Sequence, residues 1–467
     1  MQRDDLHRRG PVTDLLRQRL SAAVGAAALL WLGAVGGVGC HAAVDSRSDS
    51  GDGGDVQRRR DAGDSSDDGW TRLLGTPSAE HLRDLAVDSR GNVYLAGMTR
   101  GELRPGGPHH RGGSDAFLAK YDSDGRRRWI RLLGTAGDET AWSVTAGADG
   151  AVYLAGTTTS SLAERPYHGG KKDGFLAAYE PNGRRRWVRL LGTPNKDLVN
   201  ATAAGASGGL YLVGSMGPGE HDSTHRGGQD AFVAAYDATG RRRWLRLLGT
   251  AGNDWAVDLD VSDSGRIYAV GRVDEALEGT TFRGGSFDAF LAALDSDGSR
   301  RWVRLLGTSG WDDAQSIAVG GDGAVYVGGW TQRDFGGHSF GGGWSDAFLT
   351  KFDATGRRTW VRLLGGEGKD VARCVVADRS GRIYLAGHTS DALGRRSAAD
   401  HSEAFVGVYT SDGELLRTRL WGGSGGELVS AIALAGGGEL YLAGLVDASV
   451  DGHSYHGGSF DGFITRF

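Results

Sequence analysis

Seven carboxylates recur in this chain at one fixed distance from a glycine, and carboxylate clusters are candidates for cation binding. The glycines stand 57 to 59 residues apart, at Gly75, Gly134, Gly192, Gly249, Gly307, Gly365 and Gly422. Five residues after each glycine comes an acid: Glu80, Glu139, Asp197, Asp254, Asp312, Asp370 and Glu427. We favour the interpretation that each carboxylate accepts backbone N–H groups in a turn, because it recurs in every unit. The alternative is an acidic ring around a channel mouth that attracts Ca²⁺.

A second set of candidates breaks the repeat instead of following it. Eight residues after each glycine the residue type changes from unit to unit, which a scaffold does not require. We take six of these residues as ligand-binding candidates: Arg83, Trp142, Asn200, Gln315, Arg373 and Ser430. The remaining unit has Val257 at this position. Variable side chains on a repeated support are typical of recognition surfaces.

No catalytic set accompanies these candidates. The sequence contains no His-Glu-x-x-His motif, which would indicate a zinc peptidase. Gly-x-Ser-x-Gly occurs only in glycine-rich turns, at residues 205–209, 337–341 and 422–426, and no helical pattern follows these turns to form the nucleophile elbow of a hydrolase. Its histidines lack the regular spacing of metal ligands, so we predict neither a metal centre nor another cofactor. We therefore expect a binding protein rather than an enzyme.

The intervals between the glycines each contain four short apolar runs. In the second unit these runs predict strands over residues 128–133, 142–146, 151–155 and 174–179. The third of them should end at Gly156. Turn residues separate the runs, and no helical period is present. Four antiparallel strands repeated seven times predict an all-β, seven-bladed β-propeller over residues 69–467. A β-solenoid is the rival fold, but hairpin turns do not suit its parallel coils.

Three recurrent runs carry a family resemblance. They are Asp-Ala-Phe-Leu-Ala-Lys-Tyr-Asp at residues 115–122, Trp-Val-Arg-Leu-Leu-Gly at 302–307 and Val-Tyr-Leu-Ala-Gly at 93–97. These runs resemble the SBBP class of bacterial β-propeller repeats across nearly all of residues 69–467. The resemblance implies the propeller fold and an exported protein, and it implies little about mechanism.

The order of the strands predicts how the ring closes. We label the strands of a blade A to D from the channel outward, so the seven recurrent acids open the A strands. The chain ends after the C strand of the seventh blade, at Phe467. Residues Trp70–Leu74 have the outer-strand pattern with no blade before them, so we predict that they complete the last blade. The D–A and B–C loops should then share one variable face.

Two further recurrences have structural interpretations. An arginine follows the outer-strand tryptophan position by two residues, at Arg72, Arg131, Arg189, Arg246, Arg304, Arg362 and Arg419. We expect these arginines to charge the outer edge against sheet pairing, with attraction to anionic lipid or polysaccharide as the alternative. Each C strand begins with an acidic residue, whose carboxylate we expect to accept hydrogen bonds within a turn. These residues are Asp115, Asp173, Asp230, Asp288, Asp346, Glu403 and Asp461.

Composition and charge limit the kinds of function that remain for this chain. The 467 residues include 80 glycines and carry a net charge of −5, which provides no basic field to recruit nucleic acid. Only two cysteines are present, Cys40 and Cys374. Cys374 lies in an apolar strand pattern, where we expect a buried free thiol. We expect a monomer.

The N-terminal residues resemble an export signal. Arginine-rich residues precede an apolar run over residues 22–39, as in secretory signals. Residues 37–40, Gly-Val-Gly-Cys, resemble a bacterial lipobox with glycine in place of the usual Leu, Val or Ile. We therefore expect residues 1–40 to be a lipoprotein-type signal peptide with lipidation at Cys40. Cleaved soluble export and an uncleaved anchor are the alternatives. Residues 41–68, rich in Asp, Ser and Gly, should be a disordered tether.

Together these patterns predict an exported propeller held by lipid at the outer membrane or cell surface, or else periplasmic or secreted. Its role would be to bind or scaffold a protein or polysaccharide on the variable face. A hydrolase or lyase that acts on extracellular polysaccharide is one alternative function. A structural surface protein without a discrete ligand is another.

Overall fold

The structure is a computed structural model that describes residues 41–42, 69–103, 112–219, 225–390 and 402–467. Within these ranges the chain forms 29 strands, and no helix there is long and apolar enough to span a membrane. The predicted signal peptide, with Cys40, lies outside the described residues. So does most of the predicted tether.

The strands form seven antiparallel blades of four, as the sequence predicts. The A strands are β3 (Glu80–Val87), β7 (Glu139–Ala146), β11 (Asp197–Ala204), β15 (Asp254–Val261), β19 (Asp312–Val319), β23 (Asp370–Ala377) and β27 (Glu427–Leu434). The B strands are β4 (Val93–Thr99), β8 (Val152–Thr158), β12 (Leu210–Met216), β16 (Ile267–Val273), β20 (Val325–Thr331), β24 (Ile383–Thr389) and β28 (Leu440–Val446). The C strands are β5 (Asp115–Tyr121), β9 (Asp173–Tyr179), β13 (Asp230–Tyr236), β17 (Asp288–Leu294), β21 (Asp346–Phe352), β25 (Glu403–Tyr409) and β29 (Asp461–Arg466). The D strands are β2 (Thr71–Leu74), β6 (Arg127–Leu133), β10 (Arg185–Leu191), β14 (Arg242–Leu248), β18 (Arg300–Leu306), β22 (Arg358–Leu364) and β26 (Leu415–Trp421).

The apolar core lies between successive blades. Strands B and C are buried almost throughout, because each blade is covered on both faces by its neighbours. Leu118 of the first blade and Leu154 of the second belong to one buried cluster. Comparable clusters join the other blades around the ring. No blade could bury these faces alone, which is why the repeats must close on one another.

The N-terminal strand closes the ring in the predicted way. Strand β2 pairs antiparallel with β29, with Leu73 opposite Phe463. The indole N–H of Trp70 donates to the carbonyl oxygen of Ser123 in the first blade at 3.0 Å. The equivalent indole of Trp129 donates to the second blade in the same manner, at 3.1 Å. The last blade therefore takes its outer strand from residues that precede the first blade in the sequence.

A two-residue strand precedes the propeller proper. Residues His41–Ala42 form β1, which pairs parallel with β27 on the channel side of the seventh blade. His41 stands opposite Ala433, and Ala42 stands opposite Leu434. These two residues belong to the segment that the sequence assigned to the tether, so its first two residues are strand.

The B strands extend beyond their recurrent glycine, contrary to the prediction. In the second blade β8 continues through Gly156 to Thr158. A Cβ atom at Gly156 would lie 2.0 Å from the carbonyl oxygen of Thr140 in the neighbouring A strand. Glycine at this position permits close approach of two strands and does not end the strand.

The recurrent tryptophan and arginine of most D strands fasten one blade to the next. The Trp129 ring lies 6.1 Å from that of Tyr94 in its own blade, and Arg131 Nε donates to the carbonyl oxygen of Gly183 in the next blade at 3.0 Å. We call this arrangement the clasp. The same arginine bond recurs at Arg72, Arg189, Arg304 and Arg362. The expected role of these arginines, to charge an open edge, is therefore wrong for these blades.

Candidate binding site on the variable face

The two faces of the propeller differ in how much their loops vary. On one face, A–B and C–D connections are tight turns, such as Asp88 N–H to Asn92 O at 2.9 Å and Asp122 N–H to Arg126 O at 3.1 Å. On the other face the D–A and B–C loops differ in sequence between blades, as between residues 159–172 and 332–345. Loops of unequal sequence on a rigid support are where binding residues are usually found.

The recurrent acids that open the A strands are buried in the D–A loops. Glu80 accepts the backbone N–H of Thr76 at 2.6 Å and the hydroxyl of Thr99 at 2.8 Å. The bond from the N–H four residues earlier recurs in all seven blades. The carboxylates thus fasten loops, as the turn interpretation predicts. In the part of the chain that the structure describes, no group of three or more His, Cys, Asp or Glu side chains is placed to hold a metal.

The acids that open the C strands also act within loops. Asp173 accepts the backbone N–H of His168 at 2.8 Å, and Asp461 does the same for His456 at 2.8 Å. In both loops the imidazole Nδ1 lies 2.8 Å from the same carboxylate oxygen. The predicted turn chemistry is confirmed for these acids, and it uses two of the histidines of the B–C loops.

All seven variable positions, the six candidates and Val257, occupy the same backbone irregularity. In the first blade Leu82 pairs with Gly97 and Asp84 with Ala96, so the register shifts at Arg83 between them. The residues skipped in this way are Arg83, Trp142, Asn200, Val257, Gln315, Arg373 and Ser430. We call these seven residues the bulge ring. A β-bulge re-aims a side chain and is common beside functional sites.

Four members of the bulge ring meet in two pairs across neighbouring blades. The Arg83 guanidinium lies 4.6 Å from the centroid of the Trp142 ring, a cation–π distance. Arg373 Nη1 donates to Gln315 Oε1 at 2.7 Å. The bulge ring therefore carries two arginines, each supported by the blade beside it.

The other members of the bulge ring are buried and contribute to packing. Asn200 has no exposed surface, and its amide donates to the carbonyl oxygen of Ala256 in the next blade at 2.8 Å. Val257 and Ser430 are 3% and 9% exposed. Of the six candidates, Asn200 is thus held in a bond between blades, whereas Arg83 and Arg373 keep part of their surface open.

Positive charge accumulates at this mouth of the channel. Burial and, secondarily, the charge of Arg373 lower the pKa of Arg83 to about 10. The same two causes lower the pKa of Lys369 to about 8. Burial, then Arg373 and Lys369, also lower the pKa of His388, so this imidazole is neutral. It is 2% exposed, and neither of its ring nitrogens has a hydrogen-bond partner among the described residues.

A comparison with protein families agrees with this architecture. A family model described as the SBBP beta-propeller repeat matches residues 69–104 and 359–394. Each of the two stretches contains all or nearly all of a D strand, the following A strand and the whole B strand. The chain therefore carries SBBP-type β-propeller repeats at these two stretches, and we refer to it below as the SBBP propeller.

The SBBP propeller is also similar to parts of two larger proteins. It is 29% identical over 210 residues to the regulatory protein FlaEY of Caulobacter vibrioides, covering 41% of this chain and 22% of that relative. It is 19% identical over 231 residues to the WD repeat-containing protein L264 of Acanthamoeba polyphaga mimivirus, covering 39% of this chain and 17% of the relative. The chain spans about a fifth of the length of these relatives.

Solved propellers match the SBBP propeller at low identity. The Pan2 WD40 domain of Neurospora crassa matches with a TM-score of 0.48 at 10% identity, covering 85% of this chain and 95% of that one. Polysaccharide lyase Uly1 matches with a TM-score of 0.46 at 12% identity, covering 84% and 90%. The function of the SBBP propeller must therefore be argued from its own residues.

Five aromatic residues of the SBBP propeller extend the mouth and were not among the sequence candidates. Trp255, Phe287, Trp311, Trp330 and Trp344 lie in blades 4 and 5, on the variable face; we call them the aromatic patch. Their signal was present in the sequence. Where Trp330 stands, 23 residues after the recurrent glycine, the other blades have Met98, Thr157, Ser215, Arg272, His388 and Leu445. Departures from the repeat at this position mark the site as clearly as those of the bulge ring.

The grooves between outer strands are less distinctive than the mouth. A groove of about 930 Å³ is lined by Arg283, Arg304 and Arg358 beside Phe335. Smaller grooves of about 330 and 390 Å³ lie beside D strands of other blades and are likewise lined by clasp-position arginines. Because these grooves recur with the clasp, we regard them as joints between blades.

Cys374 of the SBBP propeller is buried but is not the free thiol that we expected. It has no exposed surface, and it is disulfide-bonded. The sequence contains one other cysteine, Cys40, which lies outside the described residues. The oxidised state of Cys374 bears on the compartment in which the protein works.

Proposed function

We propose that this protein is an exported binding module that holds an anionic partner, a polysaccharide or a protein segment, at the mouth of its channel. The bulge ring is the observation that carries the proposal. Seven equivalent bulges present different side chains, and two of these side chains are arginines that face the same opening. A scaffold alone would repeat the side chain together with the backbone.

The surroundings of the two arginines favour an anion over a neutral ligand. Arg83 contacts the Nδ1 atom of His81 at 3.3 Å, and burial lowers the pKa of His81 to about 3, so that this ring is neutral. Arg373 donates to the neutral amide oxygen of Gln315, and the nearby Asp313 carboxylate, which is paired with Arg272, does not offset the lowering of the pKa of Arg373 by burial. Removing a cation from water costs free energy unless an opposite charge compensates. A carboxylate or sulfate would supply that charge, with about 1.5–3 kcal/mol for each charged hydrogen bond.

A binding comparison with matched arginines tests this proposal. The full mature protein would be titrated with polygalacturonate, with poly-L-glutamate and with neutral dextran. We expect at least one polyanion to bind, and Arg83→Gln together with Arg373→Gln to weaken it at least about tenfold. Arg90→Gln serves as the control, because Arg90 is exposed in an A–B turn of the opposite face. Equal weakening by the control, or no binding of either polyanion, would contradict the proposal.

Export is the second part of the proposal. It is supported by the arginine-rich start followed by the apolar run over residues 22–39. The disulfide-bonded state of Cys374 also suits an oxidising compartment, where protein disulfides persist. Lipidation of Cys40 would anchor the exported protein. It would also compete with a disulfide for the sulfur of Cys40, since no third cysteine exists.

Fractionation of cells tests the anchor. If Cys40 is acylated, Cys40→Ala should move the protein from the membrane fraction to the soluble fraction. Mass spectrometry of the unreduced protein would show an acylated N-terminal peptide. Unchanged partition of the variant would contradict the lipid anchor, and so would a peptide in which Cys40 and Cys374 are linked. Protein retained in the cytoplasm would contradict export itself.

A further inference from the structure

The aromatic patch is continuous from blade 4 to blade 5. The ring centroids of Trp255 and Phe287 are 5.4 Å apart, and those of Phe287 and Trp311 are 5.7 Å apart. Trp330 lies 5.8 Å from Trp311 and 4.9 Å from Trp344. Separations of this size are those of aromatic side chains in contact. The five rings therefore form one surface.

Part of this surface is open to solvent. Trp344 is 38% exposed, whereas Trp330 behind it is 7% exposed. Trp344 precedes the C strand of blade 5, where the other blades have Gly, Lys, Ser or His. A large exposed indole that the repeat does not require, placed over further aromatic rings, is typical of a binding surface.

Cationic groups lie directly on the aromatic patch. The Lys369 ammonium is 4.6 Å from the Trp344 ring centroid. The Arg272 guanidinium is 4.9 Å from the centroid of Trp255, and it forms an ion pair with Asp313 at 2.6 Å. Lys369 also lowers the pKa of neighbouring His388 together with Arg373 of the bulge ring. The aromatic patch thus combines aromatic rings with positive charge, and Lys369 and Arg373 both lie near His388.

We infer that the anionic partner is an acidic polysaccharide, whose sugar rings stack on the aromatic patch while its carboxylate or sulfate groups bind Lys369 and Arg373. This inference rests on the proposed function and names the partner class. A pyranose ring has a face of C–H groups, which suits the electron-rich face of an indole. Its rim of hydroxyls suits charged and neutral hydrogen-bonding groups such as those of Lys369 and Arg373. An acidic peptide would match the charge and would leave the exposed ring of Trp344 without a partner.

Two single substitutions separate stacking from charge. Trp344→Ala removes the exposed ring from a loop. The control, Leu416→Ala, removes an apolar side chain that is 50% exposed on strand β26. The full mature protein and both variants would be titrated with polygalacturonate and with poly-L-glutamate. We expect Trp344→Ala to lower the affinity for polygalacturonate about tenfold and to leave the affinity for poly-L-glutamate nearly unchanged. Leu416→Ala should change neither affinity. Polygalacturonate should also change the tryptophan fluorescence of the unaltered protein.

The results of these titrations separate the glycan inference from the anion-binding function on which it rests. If Trp344→Ala leaves polygalacturonate binding unchanged while the Arg83 and Arg373 substitutions weaken it, the glycan inference is overturned and the anion site stands. Tighter binding of poly-L-glutamate than of polygalacturonate would also overturn the glycan inference. Binding of neither polymer would overturn both.

Discussion

The clasp and the bulge ring belong to the same repeat and use it in opposite ways. In the clasp the side chains recur, and they bond to the same turn of the next blade around most of the ring. In the bulge ring the backbone irregularity recurs, but its side chain differs from blade to blade. A closed ring needs equivalent joints, whereas a binding site needs blades that differ. Side chains that recur in every blade therefore mark structural contacts in this protein, and side chains that differ between blades mark the candidate binding site.

Arginine shows the difference most clearly, because both regions use it. Arg362 in the clasp donates Nε to the carbonyl oxygen of Gly413 at 2.7 Å. Its Nη2 reaches the carbonyl oxygen of Asp412 at 3.2 Å. Arg373 in the bulge ring donates to a neutral amide, and burial lowers its pKa although the Asp313 carboxylate lies nearby. The first arginine completes the fold, and the second is the one for which we propose a charged partner.

The largest effect should come from opening the ring. Deletion of residues 69–76 removes strand β2 and leaves β29 as an open edge, so we expect aggregation in size-exclusion chromatography. The milder Trp70→Ala should lower the free energy of unfolding by about 2–3 kcal/mol, because a large, partly buried aromatic is lost. Trp129→Ala, in the equivalent place, is the control and should cost a similar amount. A deletion variant that stays monomeric and as stable as the parent would contradict the closure.

The repeat is also why so much of the fold could be predicted from the sequence. Outer strands such as Arg127–Leu133 could be predicted because their apolar residues form a strand pattern that is visible in the local sequence. The A strands were predicted too short, because Glu139 and its neighbours are polar or small and pair through a bulge. Contacts such as that of Arg83 with Trp142 depend on neighbouring blades, which no local pattern shows.

The aromatic patch was missed for a particular physical reason. In the sequence the recurrent glycine looks like the end of each B strand, which places positions such as Trp330 and His388 outside the predicted strand. Glycine there relieves a close contact with strand A, and the strand continues. A glycine that permits close approach and one that ends a strand look alike in sequence.

The recurrent acids, and not the arginines of the mouth, should dominate the dependence of stability on pH. Burial raises the pKa of Asp254 and of Glu427 to about 7 in each case. In the unfolded chain both ionise near pH 4, so between about pH 4 and 7 the folded state holds more protons. The free energy of unfolding should therefore fall as pH rises through this window, by up to about 1.4 kcal/mol per group for each unit of pKa difference.

Urea denaturation at pH 5, 6, 7 and 8 would measure this effect. Asp254→Asn cannot ionise, so it should make the decline with pH shallower than in the parent protein. Arg373→Gln is the control from the mouth and should leave the decline unchanged. A parent protein whose stability rises between pH 5 and pH 7 would show that these acids are ionised in the folded state.

The central claim is that recurrent side chains hold the ring and variable ones bind the partner. Its most direct test is to measure both unfolding free energy and polygalacturonate affinity for Arg362→Gln and Arg373→Gln. We predict that Arg362→Gln loses about 1–2 kcal/mol of stability and keeps its affinity. Arg373→Gln should keep its stability and lose about tenfold in affinity. If affinity falls equally in both variants, or falls only in Arg362→Gln, the division between clasp and bulge ring is wrong.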